Sequence, residues 1–296
     1  MGHAHHCGHS HHHKLDAALI LTLLFAIVEL IGGWMSNSLA LLADAAHMTS
    51  DVVALALAAL AGRLARKPAH LGMTYGYGRA RVLAAQLNGF ALWFLSGWIA
   101  WEAVGRLSSV PDVQGGLVIG VALLGLLVNL IILKWLHGDH DINTRAAYWH
   151  VVGDAIGSVA AIVAGAVIYL TGWMLIDPIL SFLVAGILAW GGWRLVRETT
   201  SELMAAVPAD IDIKHIIAVL KETAGVVDVH HAHLWTLPDS RKAISAHIDV
   251  EAMADWDSTL KLLLQTLHKQ GIDHATLQPE SAHMQKNCAP CTGHSF

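Results

Sequence analysis

Residues 41–53 read Leu-Leu-Ala-Asp-Ala-Ala-His-Met-Thr-Ser-Asp-Val-Val, an apolar run that holds His47 and Asp51 four positions apart. Four residues is just over one helical turn, so both side chains lie on one helix face, stacked roughly 6 Å apart along the axis. Residues 148–158, Tyr-Trp-His-Val-Val-Gly-Asp-Ala-Ile-Gly-Ser, repeat the arrangement with His150 and Asp154. Ionisable side chains inside apolar spans are costly and by default mark a substrate or ion pathway. Two imidazoles and two carboxylates supply the four N/O ligands of a tetrahedral zinc site. The expectation is an intramembrane zinc site closed by two helices. A solitary intramembrane His is ordinarily a packing residue; the duplication of the pair is what favours ligands.

The surrounding chain has the composition of an integral membrane protein. Of its 296 residues 55% are hydrophobic and 14% charged, against about 25% charged in soluble domains. Mean hydropathy is +0.51. A formal net charge of −5 leaves no electrostatic case for a nucleic-acid partner. Histidine is the outlier, with 21 residues against 18 Lys and Arg together, and neutral imidazole is a common ligand of transition metals. Three Cys do not make a disulfide framework and read as thiols in a reducing cytosol, available to metal. Residues 1–14, with Cys7 among the histidines, read as a metal-capturing tail or, in part, as an added leader. The apolar segment that follows has no small-residue cleavage site and is long enough to span, so no signal peptide is expected.

Six apolar segments approach the roughly 20 residues that a bilayer requires: Ala17–Met35, Leu39–Leu64, Val82–Arg106, Leu117–Leu136, Ala146–Leu170 and Pro178–Leu195. The second and fifth carry the His-Asp pairs. Basic residues gather in the loop between the second and third (Arg63, Arg66, Lys67, Arg79, Arg81) and after the sixth (Arg194, Arg197). By the positive-inside rule both termini are cytoplasmic, in keeping with an even number of spans. Beyond Arg197 the composition becomes that of a small soluble domain. Asp210–Thr223 and Asp257–Gln270 have helical periodicity, whereas Val226–Leu237, Ala243–Val250 and His274–Gln278 read as strands, with a turn at Pro238-Asp239-Ser240. The order α-β-β-α-β predicts a compact α+β domain. At roughly 80 residues such a domain is marginal alone, so oligomerisation or metal would help it. The expected organisation is a tail at 1–14, a six-helix all-α transmembrane domain at 15–200, a cytoplasmic metal-binding and dimerisation domain at 201–282, and a tail with Cys-x-x-Cys at 283–296.

Further polar residues lie within the spans. Asp44, three residues before His47, reads as an outer waypoint or a pore-lining carboxylate. Glu29, Glu102, Asn88 and Asn129 read as partners in hydrogen bonds between neighbouring spans. In the soluble part, His230, His233, His247, His274 and Glu280 fall on or at the ends of strands that converge into a second ligand set, while His231, next to His230, faces the other way. Cys288 and Cys291 have the spacing of two thiolates on one metal. That is half a site, and Cys7 with its neighbouring histidines is a candidate to complete it.

Taken in combination, these motifs resemble the cation diffusion facilitator family of zinc exporters. The resemblance rests on His-x-x-x-Asp in the second and fifth helices, on Ser38-Leu39-Ala40-Leu41-Leu42-Ala43-Asp44-Ala45-Ala46-His47, and on Thr74-Tyr75-Gly76-Tyr77-Gly78-Arg79. Val229-His230-His231-Ala232-His233-Leu234-Trp235 and His274-Ala275-Thr276-Leu277-Gln278-Pro279-Glu280 resemble its cytoplasmic domain. The likeness covers about Leu15 to Glu280 and is greatest to the bacterial zinc-efflux branch, which also resembles vesicular zinc transporters of animals. It implies six spanning helices, a homodimer, and a ferredoxin-like, metallochaperone-like cytoplasmic domain. It also implies zinc export in exchange for protons through His47, Asp51, His150 and Asp154, and regulatory zinc in the cytoplasmic domain. His at the first of these positions is associated in the family with zinc over cadmium. Arg81 departs from the family pattern, which often has an acid there.

Proton exchange is what such ligands allow. Zinc binds neutral imidazole and ionised carboxylate, so metal and protons compete for the same atoms. Unperturbed imidazole titrates near pH 6.5, within the physiological range. The expected function is a homodimeric zinc/proton antiporter of the inner (plasma) membrane, catalysing no bond chemistry. A membrane metalloprotease is disfavoured, because its motif has Glu beside the first His and an open coordination position. The alternative is a zinc sensor that signals through the cytoplasmic domain without transport, and such a protein has no need of intramembrane pairs.

Overall fold

The computed structural model describes residues 9–137 and 142–281, with side chains described from Ala18 and, after the interruption, from Tyr148. Among the described residues, six long helices are apolar enough to cross a membrane: α1 (His9–Ser36), α2 (Leu39–Ala65), α3 (Ala80–Ser108), α4 (Gly115–Leu136), α5 (Ile142–Thr171) and α6 (Ile176–Leu203). All of them outrun the expected segments, α1 and α6 by the most. From His9, the first described residue, α1 runs through the end of the His-rich tail, because nothing between Ser10 and Ala17 breaks a helix. α6 starts before Pro178 and continues through Arg197 to Leu203. Proline is tolerated there because it lies in the first turn, where its missing N–H has no intrahelical partner to lose.

The chain divides into two compact units, one of residues 1–59 and 84–196 and the other of residues 60–83 and 197–296. In the first unit, Phe25 of α1, Met48 of α2, Ile132 of α4 and Val151 of α5 pack together. Leu92 and Ile99 of α3 pack with Ala43 of α2 and with Ala185 and Leu188 of α6. Lipid gives no hydrophobic gain for pairing helices, so close packing through small residues holds them. Gly115 of α4 and Gly165 of α5 face each other: a Cβ on Gly165 would lie 3.0 Å from the Gly115 carbonyl oxygen and 2.8 Å from Ile119 Cγ1. Gly165→Val is therefore expected to cost about 1–3 kcal/mol by overpacking this crossing. A lower melting temperature of the purified protein in detergent checks it.

The second unit holds α7 (Ile213–Lys221), β1 (Val226–Thr236), β2 (Lys242–Val250), α8 (Trp256–Lys269) and β3 (His274–Glu280). The sheet order is β1-β2-β3, with β1 antiparallel and β3 parallel to β2. α7 starts at Ile213 rather than Asp210, because Asp212 caps it by accepting from the Lys214 N–H at 2.9 Å. Both helices cover one face of the sheet, burying Ile216, Leu220, Leu263 and Leu267 on Val229, Leu234, Ile244 and Ile248. β3 extends through Pro279, which an edge strand accommodates. β1 has an irregularity in register: His230 opposes His247 while His233 opposes Ser245, so three steps on β1 match two on β2. The extra residue is a β-bulge, and His231 within it has φ +49°.

Candidate metal centres

Helical spacing alone places His47 with Asp51 and His150 with Asp154; packing of α2 beside α5 brings the two pairs together. His150 Nε2 lies 3.2 Å from Asp51 Oδ2 and 3.7 Å from Asp154 Oδ2. His47 Nε2 lies 3.7 Å from the same Asp51 Oδ2, and the imidazole centroids are 6.0 Å apart. Ligands of a tetrahedral zinc with bonds near 2.0–2.1 Å are roughly 3.3 Å apart, and the three separations bracket that value. Among the described residues, Asp51 Oδ2 and His47 Nδ1 are buried without a hydrogen-bond partner. Asp51 is the hub of the group, touched by both imidazoles. Asp154 is buried beside it, whereas His150 is half-exposed.

The other intramembrane polar residues pair between spans or within one. Asn129 Nδ2 of α4 donates to Ser158 Oγ of α5 at 3.3 Å, a bond between spans. Glu102 instead accepts from Arg106 on its own helix at 3.1 Å, so the expected bond between spans is replaced by an i,i+4 pair. Glu29 is 1% exposed, and its carboxyl meets that of Asp44.

Asp177 has no place in the sequence reading, which begins the sixth span one residue later. It is 1% exposed. Its carboxylate accepts from Ser38 Oγ at 2.5 Å, from the Leu39 N–H at 2.7 Å and from the Ala40 N–H at 3.3 Å. A residue of α6 thus caps α2, the helix carrying His47 and Asp51, and satisfies N–H groups that a helix start leaves unpaired. Arg106 Nη1 lies 3.8 Å from Asp177 Oδ2 and donates to the Asn37 carbonyl at 2.6 Å. An acid in the first turn of the sixth span was the available signal, but its partner lies 139 positions away.

In the C-terminal domain the sheet gathers a second centre. His247 Nδ1 lies 2.7 Å from Glu280 Oε1 and His230 Nε2 lies 3.4 Å from Glu280 Oε2. These three offer ligand atoms within 4.8 Å of one another. Glu280 is 2% exposed, and neither its Oε2 nor His247 Nδ1 makes a hydrogen bond among the described residues. Unsatisfied nitrogen and oxygen atoms converging at such distances fit a cation. Asp228, His230 and Asp249 form an overlapping group. Lys221 Nζ lies 2.6 Å from Asp228 Oδ1 and holds that carboxyl below the usual carboxylate range, so Asp228 already has a cation and the Glu280 set is the better candidate.

Two expectations for this domain change. His231 does not face away: the bulge turns it onto the cluster, where its ring stacks 5.4 Å from that of His247 and meets that of His233 edge-on at 6.3 Å. His274 does not join the cluster. It pairs with Ala243, four strand positions from the His247–Gln278 pair, because the parallel register of β3 puts Glu280 and not His274 at the site. Asp249, two residues from His247 on β2, was legible as a same-face neighbour and was missed. Cys7, Cys288 and Cys291 lie outside the described residues.

Comparison with known proteins matches residues 15–204 to the cation efflux transmembrane domain and residues 208–282 to the cytoplasmic domain of cation efflux proteins. The chain is 36% identical to a cadmium, cobalt and zinc/H(+)-K(+) antiporter of Bacillus velezensis, over 98% of this chain and 96% of the relative. It is 38% identical to the zinc transporter ZitB of Escherichia coli K12, over 90% of this chain and 87% of the relative. It is 35% identical to the metal cation efflux system protein CzcD of Cupriavidus metallidurans, over 93% and 90% respectively.

Proposed function

The chain belongs to the cation diffusion facilitator (cation efflux) family, and from that premise we propose that it exports zinc from the cytoplasm across the inner membrane in exchange for protons, with His47, Asp51, His150 and Asp154 as the transport site. It is a multi-pass membrane protein, and its C-terminal domain is cytoplasmic. The observation that carries the proposal is the convergence of both imidazoles on Asp51 Oδ2 from two helices. Two carboxylates neutralise the charge of a divalent ion, so the loaded site is electrically balanced where a net charge is most costly. Protons occupying the same atoms expel the ion, and alternating access presents the site to each side in turn. Zinc as cargo accords with the relatives, one a zinc transporter and one a cadmium, cobalt and zinc/H(+)-K(+) antiporter. Proteoliposomes holding a zinc indicator and a pH indicator test the reading. Zinc entry is expected to drive proton movement the other way, and zinc flux without proton counterflow overturns it.

The same reading gives the cytoplasmic domain a resident zinc held by His230, His247 and Glu280, with His233 at the edge of the cluster, and a role in homodimer formation. Exposed apolar side chains on this domain, Val227, Leu262 and Leu264, support a partner surface. Zinc there favours the folded domain by mass action, about 2.7 kcal/mol at a free concentration 100 times Kd. Glu280→Gln is expected to remove one zinc per chain, measured by metal analysis of purified protein, while zinc bound at the intramembrane site persists.

A further inference from the structure

We propose that Glu29 and Asp44 form a second station for the transported divalent cation, a two-carboxylate site one helical turn outward from the four-residue centre. This rests on the reading of His47, Asp51, His150 and Asp154 as the transport site.

Phe25, Glu29 and Gly32 share one face of α1 by their i, i+4, i+7 spacing. That face is packed on α4: a Cβ on Gly32 would meet Val121, and one on Gly125 would meet Phe25. Glu29 is therefore held inside the bundle and not against lipid. Its Oε2 is buried with no hydrogen-bond partner among the described residues, although its carboxyl meets that of Asp44. Across from them is α5. A Cβ on Gly157 would lie 4.0 Å from Asp44 Oδ2, an ordinary contact distance, so α5 borders the carboxylate on that side.

The position is ordered relative to the transport site. Asp44 precedes His47 by three residues on α2, and Gly157 follows Asp154 by three on α5. In a six-span protein with a cytoplasmic C-terminal domain, α2 runs inward and α5 runs outward. Both offsets therefore point to the outer face, by about 4.5 Å along the axis. An ion leaving the centre in that direction meets Asp44 first.

The chemistry suits transit. Carboxylate oxygens bind zinc at about 2.0–2.2 Å, but two of them leave the remaining positions to water, so the ion is held less firmly than by four protein ligands. An unsatisfied buried carboxyl oxygen is costly.

The test uses the full chain carrying Cys7→Ser, Cys288→Ser and Cys291→Ser, so that no native thiol remains. Adding Asp44→Cys places a thiolate at the station, and cobalt(II) serves as the probe. Sulfur-to-cobalt charge-transfer absorption is expected, and is expected to persist when Asp51→Asn and Asp154→Asn disable the centre. In the native background, Glu29→Gln and Asp44→Asn are each expected to slow zinc flux in proteoliposomes about tenfold, with equilibrium binding at the four-residue centre changed less than about twofold. Absence of the band in both Asp44→Cys and Glu29→Cys, in protein that still binds cobalt at the centre, overturns this proposal alone. Wild-type flux in both carboxyl-to-amide variants overturns it as well. Wild-type flux in Asp51→Asn overturns the underlying reading, whatever the band shows. Where a substitution lowers flux by lowering the folded fraction, the cobalt band decides.

Discussion

Asp51→Asn is expected to reduce zinc flux in proteoliposomes by about 100-fold or more, beyond the roughly 10–100-fold lost when only an outer partner of a metal ligand is removed. The substitution preserves shape and removes charge, so a loss of flux reports the ion and not the packing. Asp51 is touched by His150 at 3.2 Å and by His47 at 3.7 Å, which makes it the atom the other ligands share. Without it, one carboxylate faces a divalent ion, and the loaded site keeps a net positive charge in a medium that penalises charge. An amide oxygen is also a poorer zinc ligand than a carboxylate, because it carries no formal charge. His150→Ala should act in the same direction, since His150 also reaches Asp154 at 3.7 Å. Circular dichroism and a single elution peak in detergent should match wild type. Zinc flux within twofold of wild type in Asp51→Asn would remove the transport site from these residues. It would also revive the sensor reading, in which only the cytoplasmic cluster binds metal.

Asp177→Ala should destabilise the membrane domain more than any other single change argued here. It removes the acceptor of Ser38 Oγ and of two N–H groups at the start of α2. It also leaves Arg106, 13% exposed, with Glu102 as its remaining carboxylate. Breaking a buried charge pair from one side costs about 3–5 kcal/mol, because the other charge stays desolvated. The predicted shift is a fall of about 10 °C in the melting temperature in detergent. Asp177→Asn should cost less, since its amide oxygen still accepts from the helix start while the charge facing Arg106 is lost. Equal stability of Asp177→Ala and wild type would mean that α2 is held at its outer end by apolar packing alone. The function should suffer with the fold, since α2 positions two of the four proposed ligands.

The helices were legible because each is written in contiguous residues: an apolar stretch of spanning length needs no partner to be recognised. The His-Asp pairs were legible for the same reason, since i and i+4 are neighbours on any helix. Strand order along the cytoplasmic domain followed from alternation; His230 and His247 were named on strands and Glu280 just past the end of one. Alternation presumes an uninterrupted register, however, and the bulge at His231 breaks it. One inserted residue turned a side chain expected on the far face onto the cluster, and the parallel register of β3 set His274 apart from it.

By itself the sequence determined the spans, the two couples of imidazole and acid, and the kinship of the chain, because each is carried by residues close together along it. Tertiary structure alone decided that Asp51 is the meeting point of both imidazoles, that Asp177 of α6 caps α2, and that Glu29 faces Asp44. Those pairings join different helices, and the rotation of each helix about its axis is set by side-chain packing against its neighbours. No local pattern encodes that angle, so the atoms that share an ion become known only once the helices are packed.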